Sequence, residues 1–489
     1  MTLPRRLARW LLYLVGMGAI GLASIVLLFA FQARLRLPAL RPWHRVVLEG
    51  EFRAGGAGAP ASFDDYRRLE DRLFAEMRKR VLDDPAAADT QMLGRYNPNG
   101  IVSKLALDTP YNRSFELVPR EPRGAVLLVH GLSDSPYSVR ALAETFYAQG
   151  YYVLALRLPG HGTLPSSLVG VSWKDWYAAV VLAAKHAAAK AGPGKPFFMG
   201  GHSTGAALVT LYSVRALDDP SLPKPERLYL VSPAIGISPF AVLTNIVAGL
   251  SFLPYFEKSK WIDVLPEYDP YKYNSFPVNA GNQIDTLTRV LRKATLAAAQ
   301  NGRLDGMPRV LAFQSLVDST VSAAEVVRGL MSLLPQRGHE LVVFDVNRRD
   351  EMEGLINPGP IEGLDRLRIR SDLPFRLTII GNRPGGTARL AAFTREPGAN
   401  VEQETDLDLE WPRGVFSLGH VALPFPPDDP VYGLEPKPGP GPAFHLGAVA
   451  PRGESGALLV PLGTFARLRC NPFFEVMRAR VVASLETKP

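Results

Sequence analysis

Apolar positions in this chain fall into blocks with distinct periods. The first block, Trp10–Phe31, holds no charged residue. As a helix its 22 residues span about 33 Å at about 1.5 Å each, enough for a bilayer core of about 30 Å. Arg5, Arg6 and Arg9 precede it, and Trp10 and Tyr13 sit near one end, where amphipathic rings favour an interface. The pattern predicts a basic segment at 1–9 and a single transmembrane helix at 10–31. A cleaved signal is the alternative, but its apolar stretch is usually about 7–15 residues and ends in a small-x-small site.

Residues 32–112 read as a linker and a docking helix. The helix is expected over Phe63–Leu82, with Ser62 as N-cap, Asp64 and Asp65 in the first turn, and Leu69, Leu73 and Met77 as an apolar stripe. From residue 113 short apolar runs alternate with longer amphipathic ones. Strands are expected at Ser114–Pro119, Ala125–Val129, Tyr151–Leu156, Pro196–Gly200, Arg227–Val231, Arg309–Gln314 and Glu340–Val346. Helices are expected between them, at Val139–Gln149, Ser172–Lys190, Ala206–Leu217 and Ser322–Leu334, and a last one at Phe473–Leu485. This alternation predicts an α/β domain over 113–489, a mostly parallel sheet with helices on both faces. Two stretches break the rhythm. One follows Val231. The other, 348–412, contains strand-like Phe375–Gly381 and Ala388–Thr394 and reads as a small β insertion.

Composition adds limits. Of 489 residues 47% are hydrophobic and 21% charged, as in an ordinary globular protein. The net charge of +8 is spread out, which fits weak attraction to anionic surfaces and argues against nucleic-acid binding. The single cysteine, Cys470, excludes an internal disulfide framework and a cysteine-rich metal site. No metal or cofactor is called for.

The chemistry sits at strand ends. Gly201-His202-Ser203-Thr204-Gly205 follows an apolar strand and opens a helix, the context in which G-x-S-x-G holds a serine hydroxyl on a sharp turn. Ser203 is the expected nucleophile. Downstream, Asp318 lies in a loop after the strand Arg309–Gln314 and suits the orienting acid; Asp345 is its rival. His420 is the expected base, with His445 and His339 as the other histidines downstream. The N–H groups of Leu132 and Thr204 are the expected oxyanion donors. His130, His161 and His202 read as loop braces.

Val126–Gly131, Arg157-Leu-Pro-Gly-His-Gly162, Gly201–Gly205, Asp318 and His420 together resemble the α/β-hydrolase superfamily. Within it the chain is similar to monoacylglycerol-lipase-like and bacterial carboxylesterase-like serine hydrolases. The resemblance covers about 113–347 and 412–489. It implies a Ser–His–Asp triad and a cap domain at 232–291. It departs from the family at Arg157-Leu158-Pro159-Gly160, where monoacylglycerol lipases carry Asp-x-Arg-Gly, and in the 102 residues from Asp318 to His420. The expected activity is cleavage of a carboxylic ester through an acyl-enzyme, with an apolar acyl or lipid-like substrate suggested by Phe252, Leu253, Tyr255 and Trp261. The alternatives are a peptidase or amidase using the same triad, and an inactive hydrolase-fold membrane scaffold. The expected location is a bacterial inner membrane, with the catalytic domain on the periplasmic side.

Overall fold

The computed structural model describes residues 5–56, 58–236, 254–349, 355–439, 441–448 and 460–486. Its centre is a ten-stranded sheet in the order β1-β3-β2-β4-β5-β8-β9-β10-β11-β12. The strands are β1 Phe115–Leu117, β2 Ala125–Val129, β3 Tyr152–Leu156, β4 Phe197–His202, β5 Arg227–Val231, β8 Arg309–Ser315, β9 Glu340–Phe344, β10 Arg376–Asn382, β11 Arg389–Arg395 and β12 Gln403–Glu410. β6 (Trp261–Asp263) and β7 (Phe276–Pro277) form a separate ribbon. From β3 through β10 the neighbours are parallel, and the remaining pairs at the two edges are antiparallel.

The parallel strands are continuous apolar runs because both faces are covered. Alternate residues of β2 enter different cores. Leu127 and Val129 join one with the helices Trp173–Ala191, Thr204–Ala216 and Val278–Gln300; Val126 and Leu128 join the other with Arg140–Ala148 and Phe474–Glu486. The segment 348–412, expected as a small β insertion, adds its strands to the main sheet instead. β10 pairs in parallel with β9, and β11 and β12 fold back antiparallel. The acidic, exposed β12 ends the sheet; Arg383 reaches across to Glu404 at 3.0 Å and Asp406 at 2.8 Å. Charged edges of this kind resist further strand pairing.

The N-terminal region docks on the sheet domain. Ser62 caps the helix Phe63–Met77, accepting from the Asp65 N–H at 3.1 Å. Within the stretch read as linker, Leu40, Trp43, Leu48 and Phe52 are buried. The docking centres on Arg157, fully buried, which ion-pairs with Glu51 at 2.7 Å and stands 3.9 Å from Glu70. Glu70 also accepts from the Ser114 N–H and hydroxyl, and Ser114 Oγ accepts from the Arg157 N–H. The charge of Arg157 is thus answered from the docked segment.

The expectation of a transmembrane helix at 10–31 is not supported. A helix does form, Arg5–Arg36, and Trp10, Leu12, Leu14 and Ile20 on it are exposed. The side chains at 19, 22, 23, 25–27, 29 and 30 lie outside the described residues, so the apolar run is not continuous among those described. Among the described residues no helix is long and apolar enough to cross a membrane.

Candidate active site

Ser203 sits between β4 and the helix Thr204–Ala216, at φ +53° and ψ −113°. Non-glycine residues rarely adopt this backbone. It is held by hydrogen bonds from the Ser203 N–H to the Val231 carbonyl at 2.9 Å and from the Ala234 N–H to the Ser203 carbonyl at 3.2 Å. The flanking glycines have steric reasons. A Cβ on Gly205 would lie 2.0 Å from the Val129 carbonyl oxygen, and one on Gly201 would lie 2.5 Å from the Gly205 backbone. The turn therefore closes only with hydrogen at both positions.

Asp318 lies in the loop after β8. Its Oδ1 accepts from the N–H groups of Thr320 at 2.8 Å and Val321 at 2.9 Å. Its Oδ2 stands 2.7 Å from His420 Nδ1 and accepts from Gln314 Nε2 at 3.1 Å. Burial works to raise this carboxyl, but the hydrogen bond and charge of His420 and the two N–H groups outweigh it, leaving it below the usual carboxylate value. The His420 loop is tied to the ends of β8 and β9. Ser315 Oγ donates to the Leu418 carbonyl at 2.7 Å, and the Asn347 N–H to the Phe416 carbonyl at 2.8 Å. Burial lowers the His420 imidazole more than Asp318 raises it, so it stays neutral to below the ordinary histidine value.

Ser203, His420, Leu132 and Thr204 line one cavity of 520 Å³. Thr204 is the first residue of its helix, so its N–H has no intrahelical partner. Leu132 follows Gly131, where an added Cβ would meet the Asp134 carboxylate at 2.7 Å. His130 fixes this loop. The Leu158 N–H donates to its Nε2 at 3.0 Å, which leaves the proton on Nδ1 to donate to the Gly131 carbonyl at 2.8 Å. The structure thus brings all five expected site residues together, with Asp318 behind His420. The rivals fall elsewhere. Asp345 pairs with Arg348 at 2.7 Å, His445 bonds the Pro430 carbonyl at 2.7 Å, and His339 lies at the opposite end of the sheet.

Sequence reasoning missed a second charged set beside the first. Lys272 stands 3.2 Å from Asp134, Asp134 3.3 Å from His202 Nδ1, and His202 Nε2 3.3 Å from the His420 carbonyl. The His202 and His420 rings lie 5.0 Å apart. Burial opposes the Asp134 charge, yet Lys272, His202 and His130 hold its carboxyl well below the usual range. The only signal in the sequence was an aspartate three residues past Gly131. The apolar wall also differs from expectation. Phe252 and Leu253, and the Tyr255 side chain, lie outside the described residues. Trp261 is buried against His44, ring centroids 5.0 Å apart. Ile262, Phe276, Val278 and Ile284 line the cavity instead.

A family model described as "Hydrolase_4: Serine aminopeptidase, S33" matches residues 120–328. A thermostable monoacylglycerol lipase of a Bacillus species is 46% identical over 55 residues, covering 11% of this chain and 22% of that enzyme; the match thus spans about a fifth of the relative's length. Among solved structures, a metagenome-derived lipolytic enzyme is 23% identical, with 53% of this chain and 99% of that one covered and a TM-score of 0.37. The monoacylglycerol lipase of Paleococcus ferrophilus is 19% identical, with 47% and 88% covered and a TM-score of 0.36.

Proposed function

Because the chain belongs to the α/β-hydrolase superfamily, we propose that it is a serine hydrolase that cleaves a carboxylic ester with an apolar acyl group. The observation that carries this is the buried Asp318–His420 pair opening, with Ser203, into one cavity with apolar walls. His420 Nε2 takes the Ser203 proton as the oxygen attacks the acyl carbon. Asp318 holds the His420 proton on Nδ1 and offsets the imidazolium charge. The oxyanion is received by the N–H groups of Leu132 and Thr204. His420 then protonates the leaving alcohol, and water repeats the sequence in reverse to free the acid. Ile262, Phe276, Val278 and Ile284 suit a hydrocarbon chain better than a polar one. The monoacylglycerol lipase match fits this substrate class.

A fluorophosphonate probe tests the nucleophile. It is expected to label the wild type and leave Ser203→Ala unlabelled; equal labelling of the two would remove Ser203 from the mechanism.

A peptidase or amidase is the second reading. It is favoured by Asp263, a carboxylate in the same cavity wall that suits a substrate amine, and by the match to a serine aminopeptidase family model. Turnover of p-nitrophenyl acyl esters against aminoacyl p-nitroanilides separates the two. Faster ester turnover is expected, and a preference for the anilides reverses the assignment.

A further inference from the structure

The loop that carries the Leu132 N–H does not hold its shape alone. Ser133, the next residue, has φ +62°, a backbone that a non-glycine side chain rarely adopts. The support arrives from the segment between β6 and β7. The Tyr273 N–H donates to the Ser133 carbonyl at 2.9 Å. One residue earlier, Lys272 Nζ lies 3.2 Å from Asp134 Oδ1. This segment is itself anchored. Asp269 Oδ1 accepts from the N–H groups of Tyr271 at 3.0 Å and Lys272 at 3.1 Å. The Tyr271 ring stacks on Tyr137, with centroids 3.9 Å apart. Tyr137 belongs to the turn Pro136–Val139, just past the same loop. The Lys272 ammonium is thus presented from a fixed turn.

The other side of Asp134 faces the nucleophile. Its Oδ2 stands 3.3 Å from His202 Nδ1, and a Cβ on Gly131 would meet it at 2.7 Å. Gly131 precedes Leu132, and His202 precedes Ser203 and Thr204. The carboxylate therefore fills the corner between the two segments that supply the oxyanion donors. A buried carboxylate keeps such a place only while its charge is answered. Among the described residues Lys272 is the only lysine or arginine at ion-pair distance from it.

We infer that Lys272 is a positioning residue for the proposed hydrolysis, acting through Asp134 to fix the loop and so the aim of the Leu132 N–H. The inference rests on the Ser203 reading above. Its effect belongs to the transition state, because the acyl oxygen becomes an oxyanion only as Ser203 attacks. Ground-state binding rests mainly on the apolar wall of Ile262, Phe276, Val278 and Ile284. The loss on removing Lys272 should therefore fall on kcat and little on KM. Lys272 also leaves a second signature. Its charge reaches His420, where Lys272 and His202 both lower the imidazole against the pull of Asp318. A neutral side chain at 272 lets His420 take up a proton at higher pH. A loop that merely loosened would not move that value.

Hydrolysis of a p-nitrophenyl acyl ester tests this, with active sites counted by fluorophosphonate titration to completion so that misfolded protein drops out. Lys272→Met should lower kcat by about 10–100-fold, short of the about 10²–10³ for deleting an oxyanion donor outright. KM should change little, and the acid limb of kcat/KM should move up. Lys272→Arg keeps the cation and should restore most of kcat and the wild-type limb. Asp134→Asn cuts the same tie from the other side and uncovers the Lys272 charge, so kcat should fall comparably while the limb moves down. Wild-type kcat in both Lys272→Met and Asp134→Asn overturns the inference. A raised KM at unchanged kcat overturns it too, by making Lys272 a substrate contact. So does a lowered kcat with an unmoved limb, which would leave Lys272 a contact of the fold alone. Equal labelling of Ser203→Ala and wild type would instead overturn the Ser203 reading, and this inference with it.

Discussion

His420 Nδ1 lies 2.7 Å from Asp318 Oδ2, across 102 residues of chain. The pair is buried, and Asp318 Oδ1 is already occupied by two backbone N–H groups, so one oxygen is left to fix the imidazole. Asp318→Asn should keep the fold and present an amide where Nδ1 needs an acceptor, favouring the wrong tautomer. If the proposed triad operates, the expected loss is about 10⁴ in kcat, the size known for the same Asp→Asn change in a Ser–His–Asp protease, with Tm little changed. Asp345→Asn is the control and should leave kcat unaltered. Loss of activity in the control instead would move the acid to Asp345.

The same pair sets a pH dependence. Burial lowers the His420 imidazole beyond what Asp318 restores. The neutral base therefore persists below the ordinary histidine value of about 6.5, and the acid limb of kcat/KM should have its midpoint below that pH. Stability follows with the same sign. His420 and Asp318 both have lowered folded values, so unfolding takes up protons and stability falls as pH falls. A kcat/KM profile and chemical melts across pH 4–8 check both; an acid limb above 6.5 contradicts the burial argument.

The central strands and the elbow at Ser203 were legible because their causes are local. Apolar runs such as Ala125–Val129 and the glycines beside Ser203 act within a few residues. The route from Asp318 to His420 was not legible. It depends on β10, β11 and β12 adding to the edge of the main sheet, and no residue period encodes strand order. The pairing of Lys272 with Asp134 was hidden for the same reason, since it joins two distant segments. Trp261 misled because a large apolar residue near a site is equally at home in a core, and here it packs on His44.

Ser203, the proposed nucleophile, stores backbone strain. A side chain at φ +53° and ψ −113° costs about 1–3 kcal/mol. Glycine would relieve that, while its greater freedom in the unfolded chain costs about 0.5–1 kcal/mol. Ser203→Gly should therefore be more stable than Ser203→Ala by about 1 kcal/mol, although neither hydrolyses substrate. Urea melts of the two variants decide it; an alanine variant equal to or more stable than the glycine one would show that the turn is unstrained.

Arg157 makes the last case, on stability rather than catalysis. Its guanidinium is fully buried and answers both Glu51 and Glu70. Arg157→Met keeps much of the volume but leaves two buried carboxylates without their cation. Breaking a buried ion pair from one side costs about 3–5 kcal/mol. Burial has already pushed Glu70 up to about 7 against Arg157's pull. A group with a raised folded value loses its stabilising contribution as pH rises from its unfolded value towards the folded one. Removing Arg157 raises Glu70 further and widens that window upwards. The variant should therefore be nearer wild type at pH 5, where Glu70 can hold a proton, and much weaker at pH 8. Chemical melts at the two pH values measure this, and a deficit that shrinks as pH rises would rule out Glu70 as the group left exposed to the change.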